Sequence, residues 1–138
     1  MLVTASGEYA CLAMMELAAR YNDPKPVRLI EVCEKHLIPQ SFLVQIMLQM
    51  KASGLVQTTR GSAGGYQLAR PPEQITLADI LGVLDRMDEP EVRTSAPSSM
   101  SRRLQRVWKG LAENRMVYLE QFKLSDLIPQ SLVIDYVI

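Results

Sequence analysis

The sequence predicts a mainly α fold with one small β-hairpin, followed by a long helix that stands apart, and three features of its 138 residues predict it. In the stretch from Ile38 to Arg70, a helical period (Phe42, Leu43, Ile46, Met47, Met50) stops at Gly54, and two short alternating runs, Leu55–Thr59 and Tyr66–Ala69, follow around a glycine-rich tip. From Asp88 to Ser99 the chain has two prolines and a run of serines, the composition of a loop. After that loop, Leu104, Val107, Trp108, Leu111, Tyr118, Leu119 and Phe122 recur mostly at spacings of three and four, as on one long helix.

Taken in order, Thr4 or Ser6 caps a first helix over about Gly7–Tyr21, with Tyr9, Leu12, Ala13, Met15 and Leu17 on one apolar face, Glu16 among them, and a polar back. Asn22–Pro26 is a loop, and Val27-Arg28 forms a short strand edge. Leu29–His36 reads as a second helix with Ile30, Cys33 and Leu37 inward. The turn Leu37-Ile38-Pro39 leads into a third helix, with Pro39 in its first turn and Ser41 or Gln40 as cap. Gly61, Gly64 and Gly65 permit positive φ, so Arg60–Gly65 turns sharply between two strands. Two helices joined by a tight turn, the second followed by such a hairpin, make a winged helix-turn-helix.

Pro71-Pro72 stops the second strand, and Thr76 with Asp79 forms a capping box. The helix it opens places Leu77, Ile80, Leu81 and Leu84 on its apolar side and ends near Met87. The expected organisation is a winged domain over 1–87, a loop over 88–99 and a dimerisation helix with a C-terminal tail over 100–138. The long helix, from about Ser98 to Lys123, would measure about 39 Å at 1.5 Å per residue. A winged domain is too small to cover that apolar stripe, and a second copy of the same helix covers it most economically, in an isologous dimer. Six basic side chains against Glu113 and Glu120 give this helix a basic back, read as a solvated face or a phosphate contact. Leu124–Pro129 forms a short capped turn, and the apolar end from Ser131 either packs on the dimer or serves as a partner-binding flap.

Lys and Arg balance Asp and Glu at 15 each, yet no acidic residue stands between Glu34 and Glu73, where Lys35, Lys51, Arg60 and Arg70 lie. A surface without carboxylates approaches phosphates without repulsion, which points to nucleic acid. Charges interrupt the N-terminal apolar stretch, so no signal peptide is expected; the longest uncharged run, Leu37–Met50, contains Pro39 and polar residues, so no membrane span is expected; and two cysteines inside helices suit a reducing cytoplasm. One His and no nucleophile–base motif leave little for catalysis, and the wing glycines lack the following helix and Lys of a phosphate-binding loop.

The segments SGEYACLAMMELA, LIPQSFLVQIMLQMKASGLVQTTRGSAGGYQLAR and PPEQITLADIL, and above all Arg60-Gly61-x-x-Gly64-Gly65-Tyr66 soon after Gly54-Leu55-Val56, resemble the Rrf2 family of bacterial transcription regulators. The resemblance implies a homodimer on double-stranded DNA with a partly palindromic operator, its recognition helix in the major groove and its wing in the minor groove. It places Ser41, Phe42, Val44 and Gln45 at the start of the recognition helix. There Gln45 suits adenine, Val44 a thymine methyl and Ser41 a phosphate, while Phe42 divides between core and contact. Arg60, with Ser62 beside it at the wing tip, is the minor-groove candidate, and Gln49 and Lys51 are secondary phosphate contacts. Gly64 and Gly65 serve backbone geometry.

Many members of the family hold an iron–sulfur cluster on three cysteines in the loop before the long helix. Here that loop, DEPEVRTSAPSSMS, has no Cys or His, so no metal site and no cofactor are expected. Cys11 and Cys33 read as core residues and His36 as a solvent-facing or capping residue. Three functions remain open: a cluster-free DNA-binding regulator answering to a small-molecule or protein effector, a redox or metal-responsive regulator using Cys11 and Glu8, and a protein-interaction module of winged-helix form.

Overall fold

The computed structural model describes residues 3–85 and 98–133. Its elements run α1 (Ala5–Ala19), α2 (Leu29–His36), α3 (Gln40–Ala52), β1 (Val56–Thr59), β2 (Gly65–Leu68), α4 (Leu77–Asp85), α5 (Ser99–Leu119) and α6 (Leu124–Leu127), with single 3-10 turns at Pro72–Gln74 and Gln130–Leu132. The helix end expected near Met87, the loop up to Pro97 and the tail beyond Val133 lie outside the described residues.

Thr4 starts α1: its hydroxyl accepts the Gly7 N–H at 3.0 Å and satisfies one of the free donors of the first turn. The expectation of a polar back fails for this helix. Ala10, Ala13, Met14, Leu17, Ala18 and Ala19 are all buried, because α1 is surrounded by α2, α3, α4, α6 and β2. Small alanines let those neighbours approach, and α1 becomes the central rod of the core.

The bounds of α2 are those the sequence predicts, but its inward face is not. Val32 and Cys33 are buried, whereas Ile30 is exposed and Leu37 is 86% exposed. Leu37 takes the left-handed conformation, φ 55°, as the helix ends, and the chain turns there so that Ile38 enters the core in its place. Pro39 precedes α3 as its cap residue, and neither Ser41 nor Gln40 caps it. Leu43, Ile46, Met47 and Met50 pack inward. Ser53 ends the helix, and Gly54 follows at φ 77°.

The two strands pair antiparallel from Val56↔Leu68 to Thr59↔Gly65. Val27 adds a bridge on the outer side of β2, exchanging two 2.8 Å backbone hydrogen bonds with Tyr66. Of the three wing glycines only Gly61 has positive φ, 102°. Gly64 and Gly65 are needed for a different reason: a Cβ on Gly64 would overlap the Thr59 carbonyl oxygen, and one on Gly65 the Val27 carbonyl oxygen. Close approach of backbone to backbone, not torsion, requires glycine at these two positions.

The capping box of α4 forms as expected: the Thr76 hydroxyl accepts the Asp79 N–H at 3.1 Å, and the Asp79 carboxylate accepts the Thr76 N–H at 3.0 Å. Ser98 and Ser101 cap α5 in the same reciprocal way. The long helix ends at Leu119, short of Lys123, because the chain then turns back onto the winged body. Leu77 donates its N–H to the Phe122 carbonyl and Leu124 to that of Ile75, both at 2.9 Å. Leu124 thereby becomes fully buried beside α1 and the Pro72–Gln74 turn. A residue of the segment after α5 thus completes the core of the winged body.

Candidate nucleic-acid interface

The outer face of α3 opens to solvent. Ser41, Gln45 and Lys51 are exposed, Val44 and Gln49 are half-buried, and Phe42 is 55% exposed. Its ring lies 6.4 Å from that of Tyr9 at 53°, so Phe42 both braces α3 against α1 and shows an edge to solvent. Arg60 and Ser62 are exposed at the hairpin tip, held there by the left-handed Gly61 and the close turn at Gly64. The helix face and the wing tip belong to one run without a carboxylate, which extends from Lys35 to Pro72.

Lys35 is committed elsewhere. Glu16, 8% exposed, receives the Lys35 ammonium at 2.6 Å and the His36 imidazole nitrogen at 2.9 Å. His36 is therefore a partner of Glu16, not a solvent-facing or capping residue. Arg20 joins the group through an ion pair with Glu16 at 3.9 Å and also donates to Glu31 at 2.8 Å. Burial by itself would raise the Glu16 carboxyl, but the hydrogen bonds and charges of Lys35 and His36 outweigh it and hold the carboxyl below its ordinary value. The group ties α1 to the end of α2, immediately before the turn into α3. Periodicity concealed it, because Glu16 fell on the face read as apolar; a carboxylate on that face was the available sign.

The thiols are quiet. Burial, with Glu8 adding to it, pushes Cys11 up to about 11, and burial also raises Cys33. A cleft of about 280 Å³ separates the foot of the wing from α5, lined by Ser53, Arg70, Asp79, Met116 and Glu120 among others. Beyond it α5 touches the body sparingly: Arg115 bonds Asp85 at 2.9 Å, and Leu119 rests half-buried against the core. Phe122 is also half-buried and stacks edge-on with Tyr118 at 5.0 Å. Leu104, Val107, Trp108, Leu111 and Tyr118 remain exposed, and no residue of α5 is buried. Among the described residues no helix is long and apolar enough to cross a membrane.

A helix-turn-helix followed by a hairpin wing defines the winged-helix class of DNA-binding transcriptional regulators. The family model Rrf2, iron-dependent transcriptional regulator, matches residues 3–130, and the chain belongs to that family. It is 33% identical over 139 residues to the HTH-type transcriptional regulator IscR of Cereibacter sphaeroides, covering 96% of this chain and 90% of that protein. Among solved structures, T. potens IscR superposes with a TM-score of 0.72 at 28% identity, over 92% of this chain and 85% of the other. CymR, the global cysteine regulator of B. subtilis, does so with 0.67 at 27%, over 92% and 95%. These relatives bear the names of regulators, not of enzymes.

An iron–sulfur cluster held on cysteines before the long helix does not fit the donors of that segment. The segment 88–99 has neither Cys nor His, and the chain's two cysteines are placed on α1 and α2, where burial raises both thiols. Among the described residues no three Cys, His, Asp or Glu are grouped to hold a metal.

Proposed function

We propose that this protein is a homodimeric, sequence-specific regulator that binds a partly palindromic operator without an iron–sulfur cluster. Residues 1–87 bind DNA, and the segment 100–138 joins two copies through α5. The observation that carries the reading is the free apolar stripe on α5. Among the described residues, this 21-residue helix buries no side chain, and it meets the winged body near its C-terminal turns. It would be about 31 Å long at 1.5 Å per residue. Pairing with its own copy removes Leu104, Val107, Trp108 and Leu111 from water and sets two winged domains at a fixed spacing.

In this arrangement α3 enters the major groove, with Gln45 against adenine and Ser41 against phosphate, and Arg60 inserts into the minor groove, preferring the narrow groove of A·T runs. Gln49, Lys51 and Ser62 add phosphate contacts. A small-molecule or protein effector would act by changing how α5 sits on the winged body, and the cleft at Arg70 and Glu120 lies at that joint.

Selection of bound DNA from a random pool, on protein assayed for iron and sulfide, tests the reading. Enrichment of a palindrome by metal-free protein supports it. Enrichment only by iron-loaded protein refutes the cluster-free part. Absence of enrichment, with binding insensitive to salt, favours a protein-interaction module instead.

A further inference from the structure

At 3.6 residues per turn, Ser41, Gln45, Leu48 and Ala52 fall within roughly 60° of arc on α3. All four are exposed, and the opposite side carries the buried Leu43, Ile46, Met47 and Met50. Leu48 takes no part in the core and is 47% exposed. Its place on the helix, not its exposure, sets it apart, since single exposed leucines are common. It stands on the same stripe as Ser41 and Gln45, the two residues that the family resemblance and their chemistry propose for DNA. Val44, the sequence-level candidate for a thymine methyl, is half-buried on the flank of that stripe.

The chemistry of the stripe is selective. It contains no guanidinium or ammonium group, the usual partner of guanine in the major groove; Lys51 lies on the flank. It offers an amide at Gln45, which matches the donor and acceptor of adenine, and a branched hydrocarbon at Leu48, which matches the C5 methyl of thymine. The absence of carboxylates from Lys35 to Pro72 leaves the face open to a phosphate-lined groove. Three residues of rise separate Gln45 from Leu48, about 4.5 Å against about 3.4 Å between base pairs.

We propose that Leu48 is a specificity-determining residue that reads the C5 methyl group of a thymine one to two base pairs from the adenine read by Gln45. The proposal rests on the docking of α3 in the major groove put forward above. It makes the centre of each half-site an A·T-rich step, recognised by one amide and one hydrocarbon contact.

The test replaces each thymine of the selected operator in turn with deoxyuridine, which deletes the methyl group and leaves base pairing unchanged. The full-length parent should bind about three- to fivefold more weakly at one position per half-site, the value of burying one methyl group. Leu48→Ala should bind thymine and deoxyuridine alike at that position while keeping the adenine preference at the Gln45 position. Leu48→Gln, which keeps the length and removes the apolar surface, should behave as Leu48→Ala does. Both variants change an exposed side chain and should retain the parent's helical spectrum. Tight operator binding with no methyl preference at any position overturns the assignment of Leu48 alone. A methyl preference that survives in Leu48→Ala also overturns it and passes the role to another side chain. Failure to bind any DNA overturns it together with the docking of α3.

Discussion

Replacing Leu111 by Asp should separate association from folding. Leu111 is 61% exposed in the single chain, so the winged body does not depend on it. In an isologous dimer each copy would bury one leucine side chain at the pairing of α5, about 2 kcal/mol apiece, or about 4 kcal/mol for the two. At 1.4 kcal/mol per tenfold, the dimer Kd should rise by about a thousandfold, and desolvating two aspartates adds to that. Sedimentation velocity at micromolar concentration should show the parent as a dimer and Leu111→Asp as a monomer with an unchanged helical spectrum. Leu124→Ala is the contrasting variant. Leu124 is fully buried, so its truncation should lower folding stability by about 2–5 kcal/mol whatever the oligomeric state. A Leu111→Asp protein that still sediments as a dimer would refute pairing through this stripe, and an unfolded one would refute the claim that α5 stands free of the core.

Gly64→Ala should distort the wing at a cost of about 1–3 kcal/mol, because the new methyl meets the backbone of Thr59 and Arg60, which cannot yield as a side chain does; DNA affinity should fall with it, and an unchanged Tm would count against the turn geometry. Glu16 has a folded pKa below its ordinary 4.5, so its contribution to stability is present above about pH 4.5 and is lost as pH falls through the folded value. The Tm gap between the parent and Glu16→Gln should accordingly close toward pH 3; an equal gap at pH 3 and pH 7 would contradict the pairing with Lys35 and His36. The Cys11 thiol, moved from 9.0 to about 11, should be alkylated at pH 8 about a hundredfold more slowly than an ordinary cysteine, and rapid labelling in the folded protein would revive the redox reading. Arg60→Ala should weaken binding most at sites with a narrow A·T minor groove, whereas Gln45→Ala should cost about 1–3 kcal/mol at one base position per half-site; if both bind every sequence as the parent does, the orientation on DNA is wrong.

Features that depend on neighbours along the chain could be read from the sequence. Capping by Thr4 and by Thr76 with Asp79 is a matter of donors within three or four residues. The buried side of α3 and the short strands around the wing tip follow from spacing, and the run without carboxylates from composition. Three-dimensional packing settled the remainder. Which sides of α1 are buried depends on how many elements surround it, and a period cannot count neighbours. The group around Glu16 joins residues twenty apart in the chain, so only the meeting of α1 and α2 reveals it. Leu37 looked inward on helical spacing but lies past the helix end, where a left-handed residue turns the chain and gives its place to Ile38. Leu48 falls off the buried side of α3 by spacing, but only packing shows that no other element of the body covers it. Burial is a property of the assembled fold, and periodicity proposes a face without saying what, if anything, will cover it.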